Sequence, residues 1–136
     1  MIEIESRELP DIPVLHAYPV GQKDTPLPCV IFYHGFTSSS LVYSYFAVAL
    51  AQAGLRVIMP DAPDHGSRFS GDAARRLNQF WQILLQSMQE FTTLRAAIAE
   101  ENWLRDDRLA VGGASMGAMT ALGITARHPT IKCTAS

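Results

Sequence analysis

The stretch GGASMGAM, residues 112–119, constrains the fold of this chain more than any other. It follows the short apolar run RLAVG (108–112) and leads into MGAMTALGITARHP (116–129), whose spacing is helical and whose end is marked by Arg127, His128 and Pro129. A serine with Gly113 and Gly117 two residues to either side, at such a junction, is the pattern of a tight strand-to-helix turn that presents the Ser115 hydroxyl outward. The turn strains the serine backbone, and side chains at 113 and 117 would collide with the neighbouring strand or helix. Phosphate-binding loops are a poor match. The spacing GxxxxG is followed by Ala118 and Met119, where a P-loop needs Lys and Ser or Thr, and GxGxxG is absent.

The rest of the chain alternates strands with helices. CVIFY (29–33), LRVIM (55–59), RLAVG and IKCTA (131–135) are short apolar runs, as expected for strands buried on both faces of a parallel sheet. Ahead of them, IEIES (2–6) and IPVLHAY (12–18) read as an antiparallel opening pair. SSLVYSYFAVALAQAG (39–54) offers a helix with a Ser start and a Gly stop. Between LRVIM and RLAVG, residues Leu77, Phe80, Trp81, Leu84, Leu85, Met88, Phe91, Leu94 and Ile98 recur at three- and four-residue steps and predict one helical stripe. Arg75, Gln79, Gln82, Gln86 and Glu90 form its polar face. This order predicts a single α/β domain over 1–136, a mostly parallel sheet with helices on both faces.

Composition bounds the function. At 136 residues, 48% hydrophobic and 18% charged, the chain has apolar material for one core. A formal charge of -2 supplies no basic field for nucleic acid or an anionic membrane. MIEIESREL carries charges at 3, 5, 7 and 8 and lacks the apolar core of a signal peptide, so the cytoplasm is the expected compartment. Cys29 and Cys133 form no CxxC and sit in apolar runs, which predicts buried free thiols. No metal or other cofactor is implied.

Ligands in such sheets collect beyond the carboxyl ends of the strands, where three loops lie: HGFTSS after Tyr33, DAPDHGSRFSG after Met59, and GASMG after Val111. An attacking serine needs donors for the oxyanion it creates. The Met116 N–H, at the first turn of the following helix, is one, and the Phe36 N–H, freed by the bend at Gly35, is the second. His34 is expected to bond loop backbone rather than act as a base.

FYHGFTSS, VIMPDAPDHGSR and LAVGGASMGAMTAL, in that order and spacing, resemble the α/β-hydrolase superfamily, specifically small bacterial carboxylesterases near the dienelactone-hydrolase group. The resemblance covers essentially the whole chain and the first half or so of such an enzyme. It implies Ser115 as nucleophile, with the Phe36 and Met116 amides as oxyanion hole, in the hydrolysis of small carboxylic esters. It implies a structural turn at Asp61, Asp64 and His65. It also places the acid and histidine of the triad beyond the sixth strand, in which this chain stops. After Asp107 there is no Asp or Glu. His128 lies thirteen residues down the same helix from Ser115, about 20 Å away at 1.5 Å per residue, and suits the helix dipole better. His65 is the one residue that could approach Ser115 out of order. The expectation is therefore an α/β-hydrolase domain truncated after about the sixth strand, inactive alone and self-associating through the exposed edge of IKCTA. The alternative is a non-catalytic α/β module that keeps the turn as architecture.

Overall fold

The computed structural model describes residues 1–128 and 131–135, and for Asp107 and 132–135 the description is of the backbone alone. The chain forms a six-stranded sheet in the order β1-β2-β4-β3-β5-β6. The opening pair is as expected: β1 (Ile2–Glu8) runs antiparallel to β2 (Pro13–Pro19), with Ile4 opposite Ala17. β2 is antiparallel to β4 (Arg56–Pro60), and from there β4, β3 (Leu27–Tyr33), β5 (Leu104–Gly113) and β6 (Lys132–Ala135) are parallel. The fold is the mostly parallel α/β sheet of the α/β-hydrolases. No helix among the described residues is long and apolar enough to cross a membrane.

Alternation along the central strands sorts the core into two layers. Cys29, Ile31 and Tyr33 of β3, with Ile58 and Val111, pack under α3 (Phe80–Glu100) and α4 (Met116–Arg127) through Phe91, Leu94, Ile98, Ala121 and Ile124. Val30 and Phe32, with Val57, Met59, Leu15 and Ala17, face α1 (Ser44–Gln52) through Ala47 and Ala51. Helices thus cover both faces. The Cys29 thiol is buried and free, and burial pushes its pKa up to about 12. The Cys133 thiol lies outside the described side chains, as does Pro129 after α4.

The structure corrects three local expectations. The helix expected from Ser39 begins only at Ser44 and has no side-chain cap, although Gly54, at φ 96°, stops it as expected. β5 begins at Leu104, ahead of Arg108, because a bulge sets Leu27 against Leu104 but Cys29 against Leu109. The stripe from Leu77 to Ile98 is divided between two helices. α2 (Ala73–Asn78) is capped by Asp72, whose carboxylate accepts the Arg75 N–H at 2.9 Å, and α3 starts anew at Phe80. The residues α3 buries are Ile83, Leu84, Ser87, Phe91, Leu94 and Ile98. At about 100° per residue, Trp81 and Leu85 fall to one side of that face, and both are exposed, as is Leu77.

Candidate active site

The three loops anticipated from the sequence meet at the carboxyl ends of β3, β4 and β5. Ser115 follows β5 directly, has left-handed backbone angles (φ 57°, ψ -118°), precedes α4 and is exposed. A non-glycine residue there is strained and is held only because its surroundings admit no alternative. A Cβ on Gly117 would meet the Tyr33 carbonyl oxygen, and one on Gly113 would meet the Gly117 carbonyl and come within 2.8 Å of the Ala118 nitrogen. The collision foreseen for side chains at these two positions is therefore real: the helix starts in contact with the end of β3.

The loop after β3 packs against that turn. A Cβ on Gly35 would stand 3.4 Å from the Ala114 oxygen and 3.5 Å from Ser115 Cβ, so Gly35 and the serine are direct neighbours. Phe36 follows in a turn closed by the Ser38 N–H on the Gly35 oxygen at 3.1 Å, and its ring packs with Met116 and Phe80 beside Ala62, Ile83 and Leu84. Among the described residues neither the Phe36 nor the Met116 amide donates to a protein acceptor. Phe36, on the loop after β3, and Met116, the first residue of α4, share one apolar cluster.

Two buried histidines hold this arrangement. His34 donates from Nδ1 to the Gly35 oxygen at 2.8 Å and accepts the Ala62 N–H on Nε2 at 3.0 Å, the backbone-bonding role expected of it. His65 donates from Nδ1 to the Pro63 oxygen at 2.9 Å and accepts the Thr37 N–H on Nε2 at 2.8 Å. Each bridges the loop after β3 to the loop after β4, with ring centroids 5.2 Å apart. These bonds require the neutral imidazole, and burial lowers both pKa values below the ordinary histidine range. With both ring nitrogens engaged, His65 has no lone pair for a proton from Ser115, which overturns the out-of-order base.

The loop after β4 is a structural turn, as the resemblance implied. Asp61 accepts the Ser40 N–H at 2.9 Å and the Ser67 hydroxyl at 3.1 Å. Asp64 accepts the Ser70 N–H at 2.7 Å. The Arg68 guanidinium forks onto Glu90 of α3 at 2.9 and 2.8 Å and reaches the Asp61 oxygen at 3.0 Å. Nothing in the sequence signals the Arg68–Glu90 pairing, because the two residues stand 22 positions apart and Glu90 reads as part of a polar face. The His128 ring lies tilted against Phe91, with centroids 5.1 Å apart, at the far end of α4 from Ser115. Among the described residues no three His, Cys, Asp or Glu side chains are grouped to hold a metal ion. A hollow of about 670 Å³ lies between β1, β2 and the loops at Ser39 and Asp61, and Ser115 is not among its walls.

The family described as serine aminopeptidase, S33, matches residues 24–135. The chain belongs to that family. It is 97% identical over all 136 residues to Esterase YjfP of Escherichia coli (strain K12), of which it covers 55%. The chain spans about half the length of the curated relatives it matches. Among solved structures, a cold-adapted esterase from an Arctic intertidal metagenomic library superposes at a TM-score of 0.72 with 23% identity, over 98% of this chain and 59% of that one. A dienelactone hydrolase-like promiscuous phosphotriesterase, P91, from metagenomic libraries gives 0.75 with 15% identity, over 100% of this chain and 58% of that one. These likenesses bear out the resemblance to small bacterial esterases read from the three motifs, and the structural ones establish the fold.

Proposed function

We propose that this sequence is the nucleophile-bearing part of a serine carboxylesterase acting on small carboxylic esters. The observation that carries the reading is Ser115 itself: exposed, left-handed, at the start of α4, and packed against the Gly35–Phe36 loop. Such backbone strain persists at working sites. Ser115 Oγ would attack the ester carbonyl, the oxyanion would be received by the otherwise unengaged Phe36 and Met116 amides, and water would later release the acyl group. The positive end of the α4 dipole favours the same developing charge. The esterase relative and the S33 family support the hydrolytic chemistry.

The histidines near the site cannot supply the base, since His34 and His65 are engaged at both nitrogens. The resemblance puts base and acid in later sequence of the complete protein. In the full-length protein, Ser115→Ala is expected to lower kcat for p-nitrophenyl acetate by on the order of a million-fold and to abolish labelling by a fluorophosphonate. Turnover by that variant near the wild-type rate would refute the assignment. The 136-residue chain by itself is expected to hydrolyse the ester no faster than its own Ser115→Ala variant.

A further inference from the structure

We propose that the Tyr43 hydroxyl is a third donor to the oxyanion formed at Ser115, and so a further catalytic group; this rests on the esterase reading above. The point where a Gly35 Cβ would stand is bordered by three atoms: Tyr43 Oη at 3.1 Å, the Ala114 oxygen at 3.4 Å and Ser115 Cβ at 3.5 Å. The phenol oxygen is therefore no farther from Ser115 Cβ than the first and last of these legs laid end to end. Within that limit a carbonyl group bonded to Oγ can reach the phenol. The residue between them is a glycine, so no side chain fills the space, and the Phe36 amide belongs to the next residue along.

The hydroxyl is both fixed and available. Its ring is packed against Phe32, with centroids 6.2 Å apart, and stacked with Phe46 at 6.0 Å and Tyr45 at 6.1 Å. Tyr43 stands immediately before α1, with its N–H on the Ser39 oxygen at 3.4 Å and its own oxygen accepting the Phe46 N–H at 3.0 Å. Among the described residues Oη has no hydrogen-bond partner, and Tyr43 is half-buried rather than sealed in the core. A phenol O–H is a donor of the kind that oxyanion sites use. In the step concerned, the Oγ–carbon bond forms, the carbonyl π pair moves onto oxygen, and the Oγ proton passes to the enzyme's imidazole base. Tyr43 keeps its proton throughout and contributes only the hydrogen bond.

The test uses the full-length protein with Tyr43→Phe, which keeps the ring and removes the donor. The expected result is kcat for p-nitrophenyl acetate lowered about 10- to 100-fold, with KM within about two-fold, because two backbone donors remain. Affinity for an arylboronic acid, whose adduct with Ser115 carries the same negative oxygen, should fall by a similar factor. A purely packing role would leave both unchanged at equal thermal stability. Wild-type kcat and boronate affinity in Tyr43→Phe, with Ser115→Ala still inactive, would overturn the tyrosine assignment alone. Activity surviving in Ser115→Ala would overturn the esterase reading on which it depends.

Discussion

Ser115 takes a costly backbone conformation in a turn that closes this tightly only because Gly113 and Gly117 carry no side chain. Their intolerance is not a general property of glycine in this chain. At Gly117 an added methyl would be driven into the Tyr33 carbonyl, which is backbone of a central strand and cannot retreat. At Gly123, on the same helix, a Cβ would meet Met88 Cε at 2.5 Å, the free end of a flexible side chain. Gly123→Ala is thus expected to be near neutral, since the gain in helix propensity of about 1 kcal/mol offsets the shift of Met88. Gly117→Ala is expected to destabilise by about 3 kcal/mol, at the upper end for overpacking. Urea unfolding of both variants decides it, and equal midpoints would refute the argument.

Strands and helices place polar side chains as deliberately as apolar ones. At the amino end of β4, at the opposite end of the sheet from Ser115, Arg56 is buried and pairs with no carboxylate among the described residues. It donates to the Thr25 oxygen at 2.6 Å, the Trp103 oxygen at 3.3 Å and His16 Nε2 at 2.8 Å, while His16 Nδ1 donates to Glu5 at 2.7 Å. The His16 ring stacks on Trp103 at 4.3 Å. An imidazole that accepts from a guanidinium must be neutral, and burial, with the nearby Arg56 charge, outweighs Glu5 to bring its pKa down to about 4. Below the ordinary value of about 6.5 the unfolded chain binds a proton that the folded chain does not, so stability is complete above that pH and falls as pH drops toward 4. His34 and His65, also lowered by burial, add in the same direction. Unfolding free energy measured between pH 7 and 4.5 should decline by a few kcal/mol, and His16→Gln should reduce that slope. A flat profile would refute the buried neutral histidine.

The two edges of the sheet differ, and this governs how whole molecules meet. β1 carries Glu3, Glu5, Arg7 and Glu8, charges that discourage strand addition. β6 pairs with β5 on one side, and among the described residues no strand pairs its other side. Met119 and Leu122 of α4 and Leu77, Trp81 and Leu85 of α2 and α3 are exposed apolar residues on helices of the same half of the fold. The 136-residue chain is therefore expected to self-associate in solution, joined at β6 or by exchange of that strand. Sedimentation velocity across micromolar concentrations tests this, and a monomer throughout would count against it.

What the sequence determined by itself is local: period-two and period-three-to-four spacing gave strands and helices their order, and GGASMGAM gave the turn, because steric demands at Gly113 and Gly117 are met within a few residues and against the adjoining strand. The break at Asn78 is not legible in the sequence because the apolar steps continue across it, and capping by Asp72 has too small an energy to announce itself over a nine-residue stripe. What only the tertiary structure decided is which distant groups meet. His65 reads as a base candidate until the Thr37 amide, 28 positions away, occupies its free nitrogen. Arg56 reads as a strand-end charge until three carbonyls and His16 surround it. Tyr43 reads as one aromatic among several near the start of a helix until the fold sets its hydroxyl and Ser115 Cβ against the same point at Gly35. Those contacts depend on the insertion of β4 between β2 and β3, and sheet order follows from the packing of both faces at once, which no local pattern encodes.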